Sequence, residues 1–175
     1  RILNEEPDRI EEVLNVDRTL WMLAFNSLIV NLSSYTGQHS QNYYLYEDEE
    51  GRFTAIINDL NLAFGSFKNT GSGSDLKIKE LEELDPMLHA DNPYKPLISQ
   101  LLSREDYQKL YISHMRTMMH DHFKNGRFAE RARELQRLIE EPFTEDPNRY
   151  YSTSDFDASL NTVIGKRSRI PGLVE

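Results

Sequence analysis

The chain has 175 residues, a length that fits one domain or a large one with a tail. A hydrophobic content of 38% with 28% charged residues allows a sizeable core, and a net charge of −9 argues against nucleic acid or an anionic membrane as the main partner. The absence of cysteine excludes a disulfide framework and a thiolate metal site, and no apolar run reaches the length of a membrane span.

The basic residues are scattered through acidic segments, with Lys166, Arg167 and Arg169 as the one small cluster. The chain begins at Arg1 without a methionine and shows no signal peptide, so it is expected to be a piece of something longer. Residues 1–16 place Asp8, Glu11 and Glu12 beside Ile10, Val13 and Leu14, the pattern of a short acidic helix with one apolar side. Asp17 is expected to cap a second helix. From Leu20 to Leu32 that helix is apolar nearly all round, which predicts a buried central helix anchored by Trp21. Its stop is expected at Asn31–Ser34, where small polar residues compete for backbone hydrogen bonds.

A polar loop over Thr36–Gln41 leads into two predicted strands, Tyr43–Tyr46 and Phe53–Ile57, rich in aromatic and β-branched residues. The acidic run Glu47–Glu50 with Gly51 is a hairpin turn, read as a solvated tip. Tyr43, Leu45, Phe53, Ala55 and Ile57 can line one face of the hairpin. Residues 69–75, rich in glycine and serine, read as a flexible loop. Short helices are expected over Leu76–Leu84 and Pro96–Leu102.

Ser103, paired with Asp106 as a cap, is expected to open the best helix, with an apolar stripe from Tyr107 to His122 and a stop at Asn125–Gly126. A second amphipathic helix carries Phe128, Ala132, Leu135, Leu138 and Ile139 and should end before Pro142; the two should pack antiparallel. Ser154 with Asp157 is expected to cap a last helix through Phe156, Leu160, Val163, Ile164 and Arg167, ended by Pro171. The fold class is therefore α+β, mostly helical, with a central buried helix, a small hairpin and a C-terminal helical bundle, read as a single domain over 1–175.

Little in this pattern is overt chemistry. His114, His120 and His122 lack the carboxylate and spacing of a zinc helix and read as core or surface histidines. Asp59, with Asn61 two residues on, follows a strand directly and suits an oxygen ligand for a hard cation such as magnesium; it equally suits a turn. Asn42 sits at the other end of the same hairpin.

The runs Trp21–Asn31, Gln41–Tyr46 and Asp59–Gly65 (DLNLAFG) resemble those of the spore-coat protein H (CotH) kinase-like family, and the resemblance extends over roughly residues 17–170. It implies a protein-kinase-like large lobe that uses ATP and a divalent metal to phosphorylate proteins. It also implies that Asp59 is the metal-binding aspartate and that Asn42 and Asn61 lie at the same metal and phosphate site. The family's catalytic aspartate falls at Ser33, or at Ser34 if the register slips by one. Serine cannot accept the substrate's hydroxyl proton, so activity is expected to be impaired; His39 in the same loop is the one substitute base in reach of the sequence. A kinase also needs a small lobe over the phosphates; little precedes the first core helix here, so the chain is expected to correspond to the large lobe alone. A non-catalytic binding or scaffold module is the alternative, with magnesium and ATP as the suspected cofactors. The resemblance slightly favours an exported or cell-surface setting; substrate, partner and oligomeric state are left open.

Overall fold

The structure is a computed structural model that describes residues 1–165 and 169–173. Its contacts divide the chain into two compact units, Arg1–Thr117 and Met118–Glu175. The first unit runs α1 (Ile2–Glu5), a 3₁₀ helix (Pro7–Glu12), α2 (Val16–Leu28), β1 (Tyr43–Glu47), β2 (Phe53–Ile57), α3 (Ile78–Glu82), α4 (Pro96–Leu102) and α5 (Glu105–Met118). The class is α+β, as expected.

Pro7 explains why residues 1–16 are not one helix. It removes the N–H that would continue α1, and the chain re-forms as a tighter 3₁₀ turn. Asn15, not Asp17, caps α2: its side chain accepts from the Arg18 N–H at 3.1 Å. Asp17 instead accepts from His114 Nε2 at 2.8 Å. Trp21 stacks on that imidazole with ring centroids 4.1 Å apart and is half-buried, so it flanks the core rather than anchoring it. The anchors are Leu20, Leu23 and Ala24 of α2, Leu32, and Ile98, Leu101 and Leu102 of α4, with Tyr107 and Tyr111 of α5 behind them.

Helix α2 ends earlier than its apolar run. The Val30 N–H bonds Ser27 O at 3.1 Å and the Asn31 N–H bonds Asn26 O at 2.8 Å, a paired helix stop that needs a left-handed residue between them. Glycine usually fills that place; here it is Val30 at φ 48°, costly for a β-branched residue.

The hairpin forms as expected, β1 antiparallel to β2 with Tyr43 opposite Ile57 and Glu47 opposite Phe53. Gly51 at φ 78° makes the turn. The register puts Tyr43, Leu45, Ala55 and Ile57 on one face, but only Ala55 is buried. The outer edge of β2 is partly covered: Phe53 N–H donates to Val13 O and Asn15 N–H to Phe53 O, both at 2.8 Å. The 69–75 loop carries its own bonds, with Gly71 N–H donating to Asn69 Oδ1 at 2.9 Å and Asn69 Nδ2 to Asp75 Oδ1 at 3.2 Å. Ser103 caps nothing; its hydroxyl turns back to Gln100 O at 2.7 Å while α5 starts two residues later.

In the second unit a π-helical turn, Met119–Phe123, precedes α6 (Arg127–Glu145) and α7 (Thr153–Ala158). Gly126, at φ 77°, is the residue before α6. Pro142 lies inside α6 rather than beyond it; it is exposed, so the Leu138 carbonyl it leaves unpaired can turn to water. Leu135, Leu138 and Ile139, expected on a buried face, are exposed. The inner face of α6 is made by Ala132, by Gln136, whose Nε2 donates to Phe156 O at 2.6 Å, and by Phe143 stacked on Phe156 at 4.4 Å. The cap of α7 is Ser152 with Asp155, not Ser154 with Asp157. The helix ends at Ala158, and Ile164 pairs with Ile170 in an isolated bridge. Lys166 and Arg167 lie outside the described residues. Among the described residues no helix is long and apolar enough to cross a membrane.

A Cβ on Gly37 would stand 1.9 Å from the Leu32 carbonyl oxygen, a backbone atom that cannot yield. Gly37→Ala should therefore cost at least about 3 kcal/mol in urea unfolding. A loss below about 1 kcal/mol would contradict this packing of the 32–37 turn.

Candidate functional site

The turn after α2 is polar and almost fully buried. Asn31 has no exposed surface, and Ser33 and Ser34 have very little. Buried polar groups must find partners inside the protein, and every one here does. Asn31 Nδ2 donates to Asn26 Oδ1 at 2.9 Å, and Asn26 Nδ2 donates to Met22 O at 3.0 Å. Ser33 Oγ donates to Asn31 Oδ1 at 2.8 Å. Ser34 Oγ and Thr36 Oγ1 donate to the Asn31 carbonyl at 2.6 and 3.1 Å.

Two further strands of the network leave this turn for the two ends of the hairpin. Asn42 Nδ2 donates to Ser33 O at 2.8 Å. Asn31 Nδ2 also reaches the Asp59 carbonyl at 3.5 Å. The loop after Asp59 is stitched to the end of α2 as well: Phe64 N–H donates to Ile29 O at 2.7 Å and Gly65 N–H to Val30 O at 3.2 Å. Asp59 and Phe64 both sit in the left-handed region, at φ 43° and 55°. Asp tolerates it; for Phe it is strain held by the clasp around it.

Of the four residues singled out from the sequence, Ser33 and Asn42 are in direct contact, and Asp59 and Asn61 are in direct contact. In the second pair the Asn61 N–H donates to Asp59 Oδ1 at 3.1 Å. Asn31 bridges the two pairs. Asp59 and Asn61 are exposed and Asn42 is half-buried. The Ser33 hydroxyl is turned inward, and so is the Ser34 hydroxyl, so either register of the family's aspartate meets a side chain committed to the turn. His39 is half-buried with its ring 5.0 Å from that of Phe67. His114, His120 and His122 form no cluster; His120 Nδ1 bonds the neighbouring Asp121 at 2.8 Å. Among the described residues no three His, Asp or Glu side chains are grouped to cage a metal. A single carboxylate with amide oxygens fits a hard cation only when phosphate and water supply its remaining ligands, which is how magnesium is ordinarily held.

Lys95 is the supporting residue that sequence reasoning missed. It is buried, and its ammonium donates to Tyr35 O at 2.9 Å, to Gly37 O and to Ser40 Oγ at 2.6 Å, so it pins the loop between Ser33 and Asn42. Burial pushes its pKa below the usual lysine range, against three oxygens that hold its proton. His89 secures the adjoining loop. Its Nε2–H donates to Thr70 O at 2.9 Å while its Nδ1 accepts from Asn92 Nδ2 at 3.0 Å, an arrangement of the neutral ring. Burial, with Lys95 nearby, holds its pKa down accordingly. Nothing in the Asn92–Pro96 run marks Lys95 in the sequence.

A family model described as CotH kinase protein matches residues 3–169, so the chain belongs to the CotH kinase family. No curated protein and no solved structure gave a match.

Asn31→Ala would strand the Asn26 amide oxygen and the Ser33 hydroxyl in a dry interior. It should cost about 3 kcal/mol of unfolding free energy, since each buried polar group left unpaired costs roughly 1–3 kcal/mol. A near-neutral result in urea titration would refute the network.

Burial pushes Tyr35 up to about 12, only partly offset by the Leu97 N–H donating to its oxygen. A folded pKa above the ordinary 10.0 means that this contribution to stability is whole below pH 10 and is lost as pH rises through 12. Urea midpoints taken across that range should fall steeply, and less steeply in Tyr35→Phe. Some slope should persist, because Tyr107 is displaced in the same direction.

Proposed function

Proceeding from membership of the CotH kinase family, we propose that this chain is the large lobe of an atypical protein kinase that keeps a magnesium–nucleotide site and has lost its catalytic carboxylate. The observation that carries the reading is the tie of Asn42 and Asp59, from opposite ends of the hairpin, to the same buried Asn31–Ser33 turn. Magnesium–ATP, when bound, brings the transferable phosphoryl group and the positive charge that offsets it.

The chain's own residues divide the remaining work. Asp59 offers the carboxylate; one of its oxygens is steadied by the Asn61 N–H. The Asn42 NH₂ is used by Ser33 O, which leaves its amide oxygen as the acceptor for a cation. Asn61, in place of the second family carboxylate, keeps an oxygen donor but removes one negative charge, so the cation is held more weakly. At Ser33 there is no base: its hydroxyl donates into the turn and cannot take up a proton. Loss of a general base typically removes about 10²- to 10⁴-fold of rate. Weak nucleotide binding with little or no transfer is the resulting activity.

Thermal unfolding of the chain with millimolar ATP and magnesium should show a rise in midpoint that requires both components and disappears in Asp59→Ala. No shift at millimolar nucleotide would favour the scaffold module. A shift unchanged in Asp59→Ala would move the site elsewhere.

A further inference from the structure

The loop from Tyr35 to Ser40 spends its N–H groups on neighbouring turns and leaves two carbonyls without a backbone donor. Gly37 N–H donates to Ser34 O at 3.1 Å, and Gln38 N–H is shared between Leu32 O and Asn69 O, both at 3.2 Å. Among the described residues no backbone N–H donates to the carbonyls of Tyr35 or Gly37, and both residues are buried. Both carbonyls, with the Ser40 hydroxyl, converge on the ammonium of Lys95, so its three hydrogens meet three oxygens. Lys95 is only 6% exposed, and among the described residues no carboxylate pairs with it. The face of the Tyr35 ring, 5.3 Å from the nitrogen, is its remaining electrostatic partner. The lysine is delivered rigidly, because Pro96 fixes the first turn of α4 and Leu97 N–H donates to Tyr35 Oη at 3.0 Å.

A buried charge ordinarily has a counter-charge, and this one has none. Neutral oxygens converging on a single positive charge are the surroundings of an alkali-metal ion, whose hydration shell is replaced by carbonyl dipoles. Magnesium and calcium draw on carboxylates, which are absent from this cradle. We infer that the Tyr35–Ser40 loop is a monovalent-cation site with its ion built into the chain. The Lys95 ammonium is that ion, and Lys95 is a positioning residue for Asn42. The loop it holds joins Ser33 to Asn42, whose Nδ2 closes the loop onto Ser33 O at 2.8 Å. Tethering the ion to α4 makes the shape of this loop independent of the salt around it. Two consequences separate a tethered ion from a lysine that merely packs: the charge itself is needed, and a free ion replaces it once the side chain is cut away.

Unfolding midpoints of Lys95→Ala, followed by circular dichroism in chloride salts of equal ionic strength, test both. In lithium chloride the variant should unfold at least about 5 °C below wild type, because two buried carbonyls lose their donor. Ammonium and potassium match the vacated position in charge and size and should restore most of that loss in a saturable manner, where lithium does not. The wild-type midpoint should not distinguish these cations. The Asn42 side-chain amide signals in nuclear magnetic resonance should shift in Lys95→Ala and return with ammonium, a response that lost packing alone does not give. Lys95→Met keeps the shaft but places a methyl group where the ion sits, so it should be destabilised and not rescued. Should Lys95→Ala fail to fold in lithium chloride, refolding from urea in ammonium or potassium chloride becomes the readout. A Lys95→Met variant as stable as wild type would overturn the inference, since the charge would then be dispensable. So would a Lys95→Ala variant on which ammonium and potassium act no differently from lithium.

Discussion

The side chain of Asn31 is the interaction on which the first unit depends. One amide, shielded from water, fixes the end of α2 through Asn26, holds the Ser33 hydroxyl, and touches the backbone at Asp59. The backbone carbonyl of the same residue takes two further hydroxyls, those of Ser34 and Thr36. In a low-dielectric interior such bonds strengthen one another, and the loss of any member strands the rest. The turn is therefore specified by polar satisfaction rather than by apolar packing, although apolar residues surround it.

Around this hub the backbone is held in conformations that it would not choose. Val30 and Phe64 both lie in the left-handed region, where side chains of their size are disfavoured by about 1–3 kcal/mol each. They are linked through adjacent bonds, Phe64 N–H to Ile29 O and Gly65 N–H to Val30 O. Strain at two sequence-distant points is thus balanced by one clasp, and the clasp delivers Asp59 beside the turn that bears Ser33. Lys95 completes the support by tying down the loop that leads to Asn42. On the proposed reading, this local constraint is positioning apparatus kept at a site where serine stands in place of the family's catalytic carboxylate.

The hairpin was legible in the sequence because its signals are local: aromatic and β-branched runs, an acidic turn, and Gly51 where a positive φ is required. Pro96 marked the start of α4 for the same reason. The end of α2 was not legible, since its left-handed stop is occupied by valine, which carries no such signal, and is enforced by Asn31 from outside the helix. Pro142 reads as a terminator, yet an exposed proline leaves only a carbonyl that water can satisfy. Trp21 reads as a core anchor by size, but its ring is claimed by His114, a residue far away in sequence. The candidate site was legible chiefly through the family motifs. The hydrogen bonds that join Asn42 to Asp59 run through Ser33 and Asn31, whose importance as a link comes from burial, and burial is a property of the folded chain.

The central claim is that Asn42 and Asp59 serve one cation and nucleotide through a shared turn. Nuclear magnetic resonance with manganese in place of magnesium, in the presence of ATP, addresses it directly, because the paramagnetic ion broadens only nearby signals. The account predicts selective broadening of the Asn42 side-chain amide together with the backbone amides of Asp59 and Asn61. Broadening confined to one of the two ends of the hairpin, or to acidic residues elsewhere, would contradict it.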